Sequence, residues 1–252
     1  MSTCIVWFRK SLRLHDNPAL SAACLDNDVT SIIPLYVLDP AILGQNYENF
    51  GPSRLSFLFE SLSDLDSRLS SEYASKLIIL QGDPQTALEN IGQKLGRDFG
   101  SLFCEYGSEP YEREKFSSIN RSLGKNSPGS RIKTFGASQT ILDLEEVISA
   151  PAYKNPKSMK DMLKLFSSSL GIGDEGFFQV DAPLPRPTQL KPLPSLGIFS
   201  SSGPPNPLRS YSTDELTELL PASLKDDLHS RVSYFPDPFR LPPLRNNPEC
   251  FD

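Results

Sequence analysis

Short apolar runs rich in β-branched and aromatic residues alternate with helix-length segments through the first half of this chain. That alternation restricts the fold more than any other feature. Cys4-Ile5-Val6-Trp7-Phe8 lies in a first strand of about Thr3–Phe8, and Ser31–Leu38, Lys76–Gln81, Ser101–Cys104 and Arg131–Phe135 follow. Runs this short and this apolar suit strands buried on both faces. Helical patterns lie between them. Pro18–Leu25 starts behind Asp16-Asn17, a capping pair, with proline in the first turn. Leu55, Leu58, Phe59, Leu62, Leu65 and Leu69 recur at three- and four-residue steps. Gly82-Asp83-Pro84 begins a helix in which Ala87, Leu88, Ile91 and Leu95 face inward, and Glu109-Pro110-Tyr111 opens another. Strands separated by helices need right-handed crossovers. The fold class is therefore α/β: a doubly wound, Rossmann-like parallel sheet with flanking helices.

The composition changes after about residue 150. Lys160–Leu170 forms one more short helix, with Met159, Met162, Leu163 and Phe166 sharing a face. Prolines recur from Asp181 to Pro207, with Gly197 and Ser200-Ser201-Ser202-Gly203 between them, a composition that favours extended linker conformations and opposes packing. Ser212-Thr213-Asp214-Glu215-Leu216 is a helix start with acidic first-turn residues. Phe235–Asp252 is again proline-rich and is expected to be poorly ordered unless it docks. The expected organisation is an α/β domain over 1–150, a linker with a short helix over 151–209, and a short helix with an irregular tail over 210–252.

A net charge of −6 and a pI near 5.1 argue against autonomous DNA binding, which needs a basic face. No apolar run is long enough to cross a membrane. The first strand starts almost at Met1, leaving no room for a signal or transit peptide. Cys4, Cys24, Cys104 and Cys250 form no CxxC pair, so neither zinc nor a disulfide framework is indicated, and an intracellular reducing compartment, nucleus or cytoplasm, is expected. The Walker loop, H-E-x-x-H and G-x-S-x-G are all missing from the sequence.

Trp7-Phe8-Arg9-Lys10-Ser11-Leu12-Arg13-Leu14-His15-Asp16-Asn17-Pro18-Ala19-Leu20 resembles the opening of the photolyase/cryptochrome family, W-F-R-x-x-L-R-x-x-D-N-P-A-L. Further landmarks agree. Leu35–Pro40 resembles the family's second strand, Gly51–Leu62 its G-x-x-R-x-x-F-L-x-E-S-L helix, Leu80–Pro84 its G-x-P turn, and Glu105–Tyr111 its E-P-Y signature. Coverage is good from Thr3 to about Asp143. Beyond it Gln139 stands where the family has histidine, and Ala152–Met159 lacks its glycine pair. The resemblance implies a five-stranded sheet, keeps Pro34 inside the second strand, and predicts a local bulge there. It is similar to the six-four photolyase and animal-type cryptochrome branches.

The same resemblance implies a role as the N-terminal domain of a protein for light-driven DNA repair or blue-light signalling. Relatives continue into a large helical domain that holds FAD, and nothing from Ser210 to Asp252 resembles it. Their flavin reduction uses a chain of tryptophans and six-four repair uses histidines. This chain has only Trp7, with His15 and His229. The expectation is thus a truncated product, a splice form or a stand-alone homologue, without FAD and without photo-lyase activity of its own. An antenna chromophore, folate or deazaflavin, is the cofactor the resemblance allows here, at Arg54, Glu109, Tyr111 and Glu112. Helix capping and surface pairing are the competing roles for those four. Arg9, Lys10 and Arg13 reach the sheet edge where anions bind, or are solvated loop cations, or pair with acids of the further domain. His15 reads as an exposed loop residue, Trp7 as core, and Glu145-Glu146 and Asp226-Asp227 as solvated faces. Two rival functions remain: a protein-interaction module acting through the proline-rich tail, and a nucleotide-binding α/β domain.

Overall fold

The computed structural model describes residues 2–45, 47, 49–126, 131–136, 143–151, 153–170, 182–194, 199, 209–220 and 225. The expectations for Gln139, Ala152, Ser200–Gly203, Asp226-Asp227, His229, Phe235–Asp252 and Cys250 fall outside them. The chain runs β1 (Ser2–Phe8), α1 (Pro18–Leu25), β2 (Val29–Leu38), α2 (Pro40–Leu43), α3 (Pro52–Tyr73), β3 (Ile78–Gln81), α4 (Pro84–Leu95), β4 (Phe99–Glu105), α5 (Pro110–Asn126), β5 (Ile132–Phe135), α6 (Leu144–Ser149) and α7 (Met159–Leu170). Among the described residues a 3₁₀ turn at Gly96–Asp98 precedes β4, and another, Leu216–Leu219, comes last.

Each of α1 to α5 opens on proline, whose fixed φ suits the first turn and whose missing N–H is an orphan there in any case. Asn17, Asp39 and Asp83 cap α1, α2 and α4 by accepting from Leu20, Ala41 and Thr86 N–H.

The five strands are all parallel, in the order β3-β2-β1-β4-β5. The chain winds outward from β1 to β3, then crosses back to β4 and β5, so the direction of winding reverses between β1 and β4. Side chains alternate across the sheet. Val6, Phe8, Ile32 and Phe103 pack with α1 and with Leu55, Leu62 and Leu69 of α3. On the other face Ile5, Trp7, Ile33, Leu35 and Leu102 pack with Leu88 and Ile91 of α4 and Ile119 and Leu123 of α5.

The bulge predicted at Pro34 is not there. Pro34 pairs in register with Val6, and the register shifts instead opposite Thr30, where Ser2 pairs with Val29 and Thr3 with Ser31. Ile32 N–H reaches Pro192 O and Leu38 C=O accepts from Gly82 N–H, both at 3.1 Å, so residues of that parity address the β3 side. Pro34 is one of them, and β3 pairs only from Leu35 onward. The missing donor therefore falls beyond the start of the neighbouring strand.

The proline-rich stretch also departs from expectation. Residues 182–194 form neither helix nor strand, yet they pack. Leu184 O accepts from Asp16 N–H at 2.7 Å, and Pro187 O accepts from the Tyr73 hydroxyl at 2.7 Å. Arg186 pairs with Glu72 at 2.6 Å, and Leu190 lies against the α1/α3 core. Proline removes donors but keeps its carbonyl, and an extended chain turns those carbonyls outward, where they accept. Further on, Tyr211 N–H bonds Ile79 O at 2.9 Å, an antiparallel bridge on the free edge of β3. Leu216 and Leu220 sink into the same core. Ser212 starts this segment as predicted, exchanging hydrogen bonds with Glu215, but the turn is 3₁₀ and not α.

Candidate functional site

At the C-terminal edge of the sheet, Glu105 ends β4 and accepts from the backbone N–H groups of Lys10 and Ser11 (the latter at 3.0 Å). One carboxylate thus holds the loop that follows β1 against the neighbouring strand. Arg13 closes the other end of that loop on Asp16 O and Oδ2. Asp16 takes a left-handed φ of 48°, a conformation that aspartate tolerates.

Arg9 leaves this loop and turns inward. Its side chain is only 10% exposed and pairs with Glu112, itself 2% exposed, on the first turn of α5. The guanidinium lies between two rings, 5.0 Å from the Trp7 centroid and 4.9 Å from that of Phe116. Those rings meet edge to face at 6.1 Å. Arg9 Nη1 is buried with no hydrogen-bond partner among the described residues. Lys10 reaches the same acid at 3.2 Å and Glu109 at 3.1 Å. Partial burial works against its charge, but Glu109 and Glu112 outweigh that and hold the ammonium above its ordinary pKa. Gly107 makes room for Glu112: a Cβ at Gly107 would sit 2.5 Å from Glu112 Cβ.

A cavity of about 270 Å³ opens beside Arg9, between the ends of β1 and β2 and the first turns of α3 and α5. Its walls are mostly apolar and aromatic, including Trp7, Tyr36, Phe50, Phe57, Tyr111 and Phe116. Tyr111 donates to Asp39 Oδ2 at 2.9 Å, tying the end of β2 to α5. Burial, then the Asp39 carboxylate it donates to, push the Tyr111 phenol well above its ordinary pKa. Burial likewise pushes Tyr36 up to about 12. Arg54 lines the cavity from α3 with its guanidinium 3.9 Å from the Phe50 ring centroid, and it has no carboxylate partner among the described residues. Lys115, paired with Asp83, completes the polar rim.

Of the residues singled out in the sequence, Arg54, Tyr111 and Glu112 line this one cavity, and Glu109 stands outside it, paired with Lys10. Glu112 is engaged by Arg9 and Lys10, so it acts through Arg9. Sequence reasoning missed Arg9 as a wall, and Asp39 and Phe57 altogether. A strand-end cation following two aromatics was the available signal for Arg9, and a capping Asp-Pro pair for Asp39. Arg9, Lys10 and Arg13 all pair with acids of the same domain. Glu145, expected on a solvated face, accepts from Thr134 Oγ1 at 2.7 Å. His15 is exposed and Trp7 is core, as expected. Cys4 and Cys104 are buried, and burial pushes both thiols up to about 12. Among the described residues no acid, histidine and cysteine cluster could hold a metal, and no helix is long and apolar enough to cross a membrane.

Comparison with known proteins places this geometry. The family model described as DNA photolyase matches residues 4–187. The (6-4)DNA photolyase of Oryza sativa subsp. japonica is 30% identical over 207 residues, covering 74% of this chain and 36% of the rice protein. Cryptochrome-1 of Erithacus rubecula is 31% identical over 161 residues, covering 64% of this chain and 24% of that protein. The chain therefore spans about a third or less of the length of these curated relatives. Among solved structures, the cryptochrome of Synechocystis sp. superposes with a TM-score of 0.61 at 22% identity, over 88% of this chain and 41% of that one. An archaeal photolyase from Sulfolobus tokodaii with two FAD molecules, for which a novel light-harvesting cofactor is implied, superposes with a TM-score of 0.57 at 18% identity, over 86% and 41%. Both share the five-stranded α/β fold.

Proposed function

Because the chain belongs to the DNA photolyase family, we propose that it serves as the N-terminal α/β unit of a photolyase- or cryptochrome-type receptor and that its sheet-edge cavity seats a light-harvesting chromophore. The ligand is a planar fused-ring head with an acceptor-bearing or anionic edge, of the folate, deazaflavin or flavin class. One observation carries this reading: Arg9, which lines an aromatic cavity, has a buried Nη1 donor without a partner among the described residues. Leaving such a donor unpaired costs about 1–3 kcal/mol, which an acceptor on a ligand removes. The volume, near the lower end of the about 300–1,000 Å³ usual for ligand pockets, takes a ring system and no more, so the rest of the ligand lies outward along Arg54.

The residues divide the work by position. Trp7, Phe116 and Tyr111 offer faces and edges for stacking. Arg9, fixed by Glu112, orients the ring edge. Arg54, without a carboxylate partner among the described residues, offers its cation to an anionic tail. The bound chromophore would supply light absorption. The flavin class is included because the Sulfolobus tokodaii photolyase carries two FAD molecules.

DNA repair and signalling are proposed as properties of a longer assembly and not of this chain alone. Its length against the rice and bird relatives and its single tryptophan, buried in β1, support that.

The test is reconstitution of the purified chain with a folate, a deazaflavin and FAD, read by absorption and by thermal shift. One of them is expected to bind stoichiometrically, and Arg9→Met is expected to lose it. Uptake of none, or equal uptake by Arg9→Met, would overturn the antenna reading. A thermal shift with nucleotide alone would replace it with nucleotide binding.

A further inference from the structure

α1, α3, α4 and α5 turn their apolar stripes to the sheet. α7 does not. Met159, Met162, Leu163 and Phe166 are 75%, 39%, 61% and 41% exposed. They stand at i, i+3, i+4 and i+7, a single stripe along the helix.

The flanking charge is one-sided. Lys154, Lys157, Lys160 and Lys164 fall within one short stretch of a chain whose net charge is −6. Among the described residues none of these four ammonium groups makes an ion pair. The one acid in that stretch, Asp161, is turned back on the start of its own helix. It accepts from Ser158 Oγ at 2.8 Å and Lys157 N–H at 3.3 Å, while Asp161 N–H donates to Ser158 Oγ at 3.1 Å. That reciprocal cap fixes the N-terminus of α7 without using any lysine ammonium group.

We propose that α7 is a docking helix for an acidic protein that receives an amphipathic helix in an apolar groove. Four anchors at this spacing are the pattern such grooves read. The unpaired lysines supply the complementary charge, which steers encounter and selects an acidic rim. A membrane surface suits the pattern less well. Helices that lie on lipid carry cations on both shoulders of a broad apolar face. Here Lys160 and Lys164 lie one turn apart on the same shoulder, and Ser169 and Leu165 occupy the other.

The full chain is to be titrated with Ca²⁺-loaded calmodulin, an acidic protein with a methionine-rich, helix-receiving groove, as the probe. A saturable one-to-one complex that disappears on adding a chelator is expected. Phe166→Glu is expected to weaken it about tenfold or more, and Lys160→Glu with Lys164→Glu to weaken it and flatten its dependence on salt. All of these positions are exposed, and unchanged thermal midpoints would show that the variants fold. Three results would overturn the proposal: no complex, a complex indifferent to Phe166→Glu, or Phe166-dependent binding to phosphatidylserine vesicles or to a second copy of the chain in place of the probe. α7 does not line the sheet-edge cavity, so the chromophore test and this one succeed or fail separately.

Discussion

Arg9 carries two roles with one side chain. Its Nη2 satisfies a buried carboxylate, its guanidinium lies over the Trp7 and Phe116 rings, and its Nη1 has no partner among the described residues. Removing one partner of a buried pair costs about 3–5 kcal/mol, because the other charge is then stranded. Lys10, 3.2 Å from the same carboxylate, softens that loss for Arg9→Met and puts it at the lower end. Glu112→Leu strands Arg9, whose Nη1 is already unpaired, and is expected to cost more. The double variant Arg9→Met with Glu112→Leu is expected to recover most of the stability, since two well-packed apolar groups replace the pair. Urea unfolding of the four proteins measures the coupling; simple additivity of the two losses would show that the pair is not a unit.

At the scale of elements, Asp83 shows how a cap and an ion pair share one residue. Its carboxylate caps α4 through Thr86 and pairs with Lys115 of α5. Desolvation raises its pKa, but the Lys115 ammonium and the Thr86 hydrogen bonds outweigh it, and the net shift is downward from the ordinary 3.8. A depressed carboxyl pKa stabilises the fold above the ordinary value, and the contribution is lost as pH falls through the depressed one. Asp83→Asn keeps the cap and loses the charge. It is expected to cost no more than about 1 kcal/mol at pH 7, since the pair is partly solvated, and nothing in acid. Asp83→Ala also loses the cap, about 1 kcal/mol more, at both pH values. Denaturation midpoints across pH 2–7 check the sign. Elements set by local chemistry were legible in the sequence. α1 runs from Pro18 to Leu25 as read, because Asn17 and Pro18 determine its start within one turn. β2 starts earlier than read, at Val29, because Thr30 sits opposite the register shift and breaks the apolar run. α2 has no counterpart in the sequence reading, although Asp39-Pro40 is the same kind of cap-and-proline pair that starts α1 and α4. The candidate site was half legible. Arg54 and Tyr111 sit on motifs, but the burial of Arg9 depends on Glu112, 103 residues away, and no local pattern encodes that pairing.

At the scale of the molecule, the α/β unit does not end where the strands and helices stop alternating. Leu216 is fully buried in the α1/α3 core, and Leu220 and Tyr211 lie beside it. Nothing in the local sequence of 209–220 tells this packing from an independent short helix. Leu216→Ala is expected to cost about 2–5 kcal/mol, as for a core leucine, and to lower the midpoint of the whole unit in one cooperative transition. A loss below 1 kcal/mol would mean that the segment rides on the surface. Tyr211 has a further consequence. By bonding Ile79 it blocks the outer side of β3, so among the described residues β5 is the one edge of the sheet left for another strand. A body with a single adhesive end cannot be a link in a fibre. Two copies meeting through β5 would use up each other's free strand, and growth by strand addition would stop at the pair.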